Sequence, residues 1–382
     1  MEIEGLTETP IAVTRADLLG TGSTLMNLLF TGDPFGGFLR GKYFFIVGDS
    51  ASGKTFLSMT CAAESTINPN FKDYRIIYDN GEDGMLMNLE QLFSEATADK
   101  VEPPATADGA PVFSDTVESF YYHLDDALLR AGWDNRRKKM TGAADARPFI
   151  YILDSENNLD SEAAEKKFYQ HKTAARKEKE EGDKDPAGSF GDGKAKKHSE
   201  NMRHALKGLR KTGSILIVLS QTRDNISGYG ERKTRAGGRA LRFYATVEAW
   251  SSVVEQIKKN LHGKDRKVGV RVKIETKKNR ITGKLGDVEI DIFPSFGIDD
   301  IGTCVDYLVE EGFWSQSGQK IDAKGIDVVG TRDKIIRAIE RRGLEDKVRG
   351  LCGQCWAEID QACALKRKNR YQKMGVADDR LE

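Results

Sequence analysis

Residues Gly48 to Thr55 read Gly-Asp-Ser-Ala-Ser-Gly-Lys-Thr, a complete GxxxxGK[ST] pattern, and they leave little choice of fold. The run follows an apolar, strand-like stretch, Tyr43 to Val47, and precedes the helical stretch FLSMTCAAES. In that setting the glycines let backbone N–H groups curl around an anion, and the helix adds the positive end of its dipole. Lys54 supplies a point charge for β and γ phosphates, and the Thr55 hydroxyl a ligand for Mg2+. The expected nucleotide-binding residues are therefore Gly48, Asp49, Ser50, Ala51, Ser52, Gly53, Lys54 and Thr55, with ATP and Mg2+ as cofactors.

A phosphate loop between a strand and a helix requires further parallel strands beside it. Tyr43 to Val47, Arg75 to Tyr78, Phe149 to Leu153 and Ser214 to Leu219 are short, rich in β-branched or aromatic residues and almost continuously apolar, as strands buried on both faces must be. Thr116 to Ala131 and Ser199 to Lys211 are amphipathic at helical spacing. The expected class is α/β, a P-loop NTPase core over residues 19–295 with a mostly parallel central sheet, preceded by a short segment, 1–18. Residues 156–198 carry many charges of both signs and few aliphatics, and read as a long exposed insertion, part helix and part loop. Thr222 to Gly238 is a long polar loop directly after a buried strand, where open α/β sheets place ligands. From Phe296 to Glu382 the texture changes to short amphipathic helices, expected to form a small α-rich C-terminal domain with a polar tail.

Charge narrows the partners. Lys plus Arg and Asp plus Glu both number 59 in the 382 residues, so attraction to nucleic acid must come from a local patch. One exists: Lys194 to Arg242 holds thirteen Lys or Arg against three acids, Glu200, Asp224 and Glu231, the footprint of a groove that tracks phosphates. Phe190 and Tyr229 lie in or beside it as candidate stacking groups. The first residues, MEIEGLTETP, lack the basic start and apolar run of a signal peptide, so a cytoplasmic protein is expected. Five cysteines, an odd number, suit reduced thiols, and Cys352 and Cys355 read as ordinary helix positions.

Two carboxylates complete the expected chemistry. Phe149 to Asp154 reads as the partner strand of the phosphate loop, with Asp154 joining Thr55 in the Mg2+ shell. The stretch Asp79-Asn80-Gly81-Glu82-Asp83 follows another strand, and Glu82 is the first choice for the base that orients the attacking water.

The stretches TGSTLMNLLFTGDPFGGFLRGKYFFIVGDSASGKTFLSMT and ILIVLSQTRDNISGYGERKTRAGGRALRFYATVEAW resemble the RecA family of DNA strand-exchange ATPases. RVKIETKKNRITG and DVEIDIFPSFGIDDIGTCVDYLVEEG extend the likeness, which is nearest in style to phage RecA-like and UvsX-type recombinases. The resemblance implies a RecA-like core and a DNA-dependent ATPase in DNA recombination and repair. It makes Gln221 a switch that senses the γ-phosphate. It places Arg223, Arg232, Lys233, Arg235, Gly237, Gly238 and Arg239 in a DNA-binding loop, and makes Lys278 and Arg280 cations that reach the ATP of a neighbouring subunit. The implied partners are single-stranded DNA, then homologous duplex DNA, and further copies of the chain assembled head to tail. On composition alone, Lys278 and Arg280 form a solvated basic turn.

The family's recombinases carry a helix and a strand-forming arm before the core, and the 18 residues here are too few for both. The 156–198 insertion falls where the family's first DNA-binding loop should lie, and the Asp79 to Glu82 spacing is one residue longer than the family's. Filament and ring therefore stay open. So do a ring-forming helicase ATPase of the DnaB type, a nucleotide-binding regulator without enzymatic activity, and a core-only recombination accessory or annealing protein.

Overall fold

Alternation along the strands dictates the layering. In β1 (Tyr43–Gly48), Tyr43, Phe45 and Val47 enter one apolar layer, and Phe44 and Ile46 the other. A strand buried on both faces belongs at the centre of a covered sheet. That is where it lies in the computed structural model, which describes residues 13–82, 87–163, 165–166, 169–170, 192–224, 233–235 and 238–367. The remaining main-sheet strands are β2 (Arg75–Asn80), β3 (Val101–Glu102), β4 (Phe149–Asp154), β5 (Ile215–Asp224), β6 (Lys233–Arg235), β7 (Val247–Leu261), β8 (Lys264–Asn279), β9 (Asp287–Phe293) and β10 (Gly297–Ile298). They form one ten-stranded sheet in the order β10-β9-β8-β7-β1-β5-β4-β2-β3, with β6 paired to β5 off this path. The pairs from β7 through β3 are parallel, and those from β7 to β10 are antiparallel.

Helices cover both faces. One layer takes side chains of α1 (Thr24–Thr31) and α2 (Lys54–Ile67); the other takes those of α3 (Val117–Arg130), α4 (Asp192–Thr212) and α5 (Gly238–Tyr244). Local chemistry fixes the ends: Ser23 accepts from the Met26 N–H at the start of α1, and Gly32, at φ 76°, ends it. Thr116 caps α3 by accepting from the Ser119 N–H at 3.0 Å. The C-terminal helices α6 (Asp300–Glu310), α7 (Arg332–Arg342) and α8 (Glu345–Cys363) pack into the same apolar cluster as α1 and α2. Cys352 and Cys355 lie buried on α8.

Two expectations need correction. The roots of the 156–198 insertion are not exposed: Glu156 and His198 are fully buried and Leu159 nearly so, because the chain enters and leaves this segment through the core. The Thr222 to Gly238 stretch is not all loop, since Thr222, Arg223 and Asp224 pair antiparallel with Lys233 to Arg235 and α5 begins at Gly238. The C-terminal region is α-rich, as expected, and also carries short strands. It holds a three-stranded antiparallel sheet, β11 (Ser315–Ser317), β12 (Lys320–Ala323) and β13 (Val328–Gly330), whose strands of three or four residues are too short to show a pattern in the sequence.

Candidate nucleotide-binding site

Register builds the site. β1 lies between β5 and β7, so Gly48 stands level with Gln221 on one side and Ser251 on the other. A Cβ on Gly48 would lie 2.6 Å from the Ser251 carbonyl oxygen, so only glycine fits the start of the loop. Gly53 has φ 79° and precedes α2, leaving that helix's first N–H groups facing the loop. Ser52 shares a 2.7 Å hydrogen bond with the Ser251 hydroxyl, tying the loop to β7. On the other flank the Thr222 hydroxyl donates to the Asp49 carboxylate.

Lys54 is 7 % exposed, and its ammonium donates to the Gly48 carbonyl at 3.0 Å and the Asp49 carbonyl at 2.7 Å. Burial lowers its pKa, while Asp154, Glu82 and Asp49 pull the other way. Asp154, at the end of β4, accepts from the Thr55 hydroxyl at 2.5 Å and the Tyr78 hydroxyl at 2.8 Å. Burial raises its pKa against the pull of these two donors. Glu82, just past β2, accepts at Oε1 from the Ser155 hydroxyl and, at 2.9 Å, from the Gln221 amide. Asn157 holds Gln221 from behind, accepting from its backbone N–H at 2.7 Å.

The cleft has a volume of about 560 Å3. It is lined by Ser50 to Thr55, Glu82, Asp154 and Gln221, together with Gln256, Lys267, Val270, Ile292 and Pro294. The residues present fit ATP and Mg2+: a glycine-lined cradle, a buried ammonium satisfied by loop carbonyls, and a hydroxyl and a carboxylate, hard oxygen donors, in direct contact beside it. Gly48 to Thr55 would hold the phosphates, and Thr55 and Asp154 the metal.

Lys278 and Arg280 lie elsewhere in the chain's own fold. The Lys278 ammonium donates to the Arg242 and Phe243 carbonyls at 2.6 and 2.8 Å, and Arg280 to the Phe243 carbonyl at 3.1 Å. Both cations thus cap the C-terminal end of α5, where backbone carbonyls lack helical partners. Of the expected DNA-binding residues, Arg232 and Gly237 lie outside the described residues, as do Phe190 and Tyr229. Arg223 is placed by its backbone on β5, Lys233 and Arg235 on β6, and Gly238 and Arg239 at the start of α5. Sequence reasoning missed Tyr78, Ser155, Asn157 and Ser251. Their hydroxyl and amide chemistry is too common to stand out, and only the sheet register (Tyr78, Ser251) and the turn after β4 (Ser155, Asn157) bring them to the site.

Fold and site together define a P-loop NTPase core of the α/β class. The RecA N-terminal domain model matches residues 172–299. Protein RecA of Cytophaga hutchinsonii is 26% identical over 323 residues, 83% of this chain and 76% of the relative. Protein RecA of Chlorobaculum tepidum is 27% identical over 314 residues, 80% and 74% of the two chains. A shorter match to Protein RecA of Chlorobium limicola reaches 34% identity over 121 residues, 31% of this chain and 33% of the relative. The chain is thus similar to RecA proteins over most of its length.

Proposed function

We propose that this chain is a DNA-dependent ATPase that coats single-stranded DNA and promotes homologous pairing and strand exchange, hydrolysing ATP to ADP and phosphate. The supporting observation is the Glu82 to Gln221 hydrogen bond, because Gln221 sits on the strand that runs directly into the cationic β5–β6 ladder. Lys54 would neutralise the β and γ phosphates and the loop N–H groups would orient them. Mg2+, when bound, supplies positive charge across the phosphate oxygens. Two donors on Oε1 fix the Glu82 carboxylate so that it can orient a water and accept its proton. A γ-phosphate drawing the Gln221 amide would release it from Glu82 and move the start of the ladder, so nucleotide state and DNA affinity change together.

The place of action is the cytoplasm of a bacterial or phage-infected cell. Among the described residues, no helix is long and apolar enough to cross a membrane.

The test measures Mg2+-dependent ATPase with and without single-stranded DNA, strand exchange with homologous duplex, and the salt dependence of DNA binding. Replacing Arg232, Lys233 and Arg235 together by Ala should flatten the slope of log K against log salt by up to about three units. An unchanged slope places DNA elsewhere. Electron microscopy with an ATP analogue and single-stranded DNA distinguishes filaments from rings.

A further inference from the structure

Asp79 is the last buried residue of β2 and stands three residues before Glu82. Three donors close on its fully buried carboxylate. Oδ1 accepts from the Ser114 N–H at 2.8 Å, and Oδ2 from the Ser114 and Tyr151 hydroxyls, both at 2.6 Å. Tyr151 lies on β4 and is itself fully buried; burial raises its pKa, so the hydroxyl keeps its proton and donates it. Ser114 precedes α3, and its hydroxyl oxygen also lies 2.9 Å from Nδ1 of His123 on that helix. A hydroxyl has a single proton to give. Because Ser114 gives it to Asp79, its oxygen receives the N–H of His123 Nδ1, which fixes the proton on that ring nitrogen.

The same residues reach the turn that carries Glu82. Asn80 ends β2 level with Asp154, and the Glu82 N–H donates to the Asp154 carbonyl at 3.1 Å. Between them the Ser114 carbonyl closes on Gly81, where a Cβ would come within 3.3 Å of it. Ser114 therefore grips the Asp79 side chain and packs its own backbone against the turn. A carboxylate withdrawn from water costs free energy unless donors satisfy it, and an apolar side chain would fill the interior without that cost. What the three directional bonds add is a fixed geometry at the strand end that leads to Glu82.

We propose that Asp79, held by Ser114 and Tyr151 and backed by His123, is a positioning residue that sets where Glu82 presents its carboxylate to the nucleotide cleft. Glu82 lines that cleft and these four residues do not, so none of the four is catalytic. The inference rests on the reading of Glu82 as the base that orients water.

The test uses the full-length chain and measures ATPase turnover with and without single-stranded DNA. Ser114→Ala leaves one N–H on Asp79 and removes the hydroxyl between Asp79 and His123. It should lower kcat about tenfold to a hundredfold, the scale of a misplaced reacting group, with the KM for ATP within about twofold. In a Glu82→Gln background the same change should lower the residual turnover by less than about twofold, since a residue that acts through another loses its effect with it. His123→Leu should also lower kcat, and His123→Asn, which places an amide N–H where Nδ1 stands, should restore it. Hydrogen exchange of the Glu82 N–H gives a readout without turnover, and should be about tenfold faster in Ser114→Ala as the turn opens more easily. If Ser114→Ala does not fold, Tyr151→Phe carries the same comparisons. Unchanged kcat in the folded variant overturns the proposal, as does a loss that persists in full in the Glu82→Gln background. If Glu82→Gln turns over like the parent, the base reading fails, and the exchange rate still decides whether Asp79 holds the turn.

Discussion

The side-chain amide of Gln221 donates to Glu82 Oε1 at 2.9 Å, joining the ends of β5 and β2 across the end of β4. Glu82 is thereby placed beside the phosphate loop with its carboxylate plane fixed. Glu82→Gln keeps an oxygen for the Ser155 hydroxyl but cannot take a proton from water. Turnover should fall about a hundredfold or more, the usual contribution of a general base, with ATP affinity changed only a few-fold. Steady-state kinetics beside equilibrium nucleotide binding checks this, and undiminished turnover would remove Glu82 from the mechanism.

Burial makes the charged form of Asp154 costly. Burial raises its folded pKa above the unfolded value, so the folded state binds more protons than the unfolded one between those two pKa values. Its contribution to stability therefore declines as pH rises through that window and stays unfavourable above it. Asp154→Asn, which still accepts from Thr55 and Tyr78, should stabilise the nucleotide-free chain by about 1 kcal/mol near neutral pH, while Mg2+-dependent hydrolysis is lost. Thermal unfolding from acidic to neutral pH tests the sign: a variant less stable than the parent at pH 7 contradicts it.

Lys54 donates to two loop carbonyls, positions a phosphate oxygen would take over as acceptor. Lys54→Ala should cost several kcal/mol of transition-state stabilisation, roughly the worth of a lost phosphate clamp. ATPase assays across Mg2+ concentrations read the effect; turnover at the parent's level would refute the loop's assigned role.

Much of this was legible in the sequence because it is local. The phosphate loop, its strand and its helix lie within Tyr43 to Ile67, and the apolar strands that carry Asp79 and Asp154 announce themselves by composition. Glu82 stands out in the sequence because a carboxylate just past a strand end is conspicuous. Ser251 and Asn157 were not, since one reaches the loop through the β7–β1 register and the other through a turn beside β5. The long hairpin of β7 and β8 was also only half visible: its outer half is exposed on both faces, so no alternation marks it. Glu156 and His198 lay hidden in a charged stretch, where a buried polar contact leaves the same composition as a solvated one.

Lys278 and Arg280 make the sharpest test of assembly. In the single chain both cap the end of α5, which Arg242 anchors to the buried Glu248 at 3.0 Å. Burial, with help from Arg280, pushes the Lys278 pKa down to about 8. A neighbour's polyphosphate would raise it again, so assembly driven by ATP takes up a proton. By linkage, assembly is strongest below pH 8 and weakens above it, by at most about tenfold per pH unit per site, and Lys278→Arg should remove that dependence. The family resemblance sets these cations against the next subunit's nucleotide, a heterologous contact that generates a helix or a ring. Active sites would then exist only in assemblies, and turnover per chain should rise with protein concentration. Mixing Lys54→Ala with the Lys278→Ala, Arg280→Ala double variant decides the matter. Each alone is inactive, but in a mixed assembly some interfaces pair an intact phosphate loop with intact cations, so activity should partly return. If light scattering shows that the variants co-assemble and mixing restores nothing, the cations serve only as the cap of α5, and hydrolysis is completed within one chain.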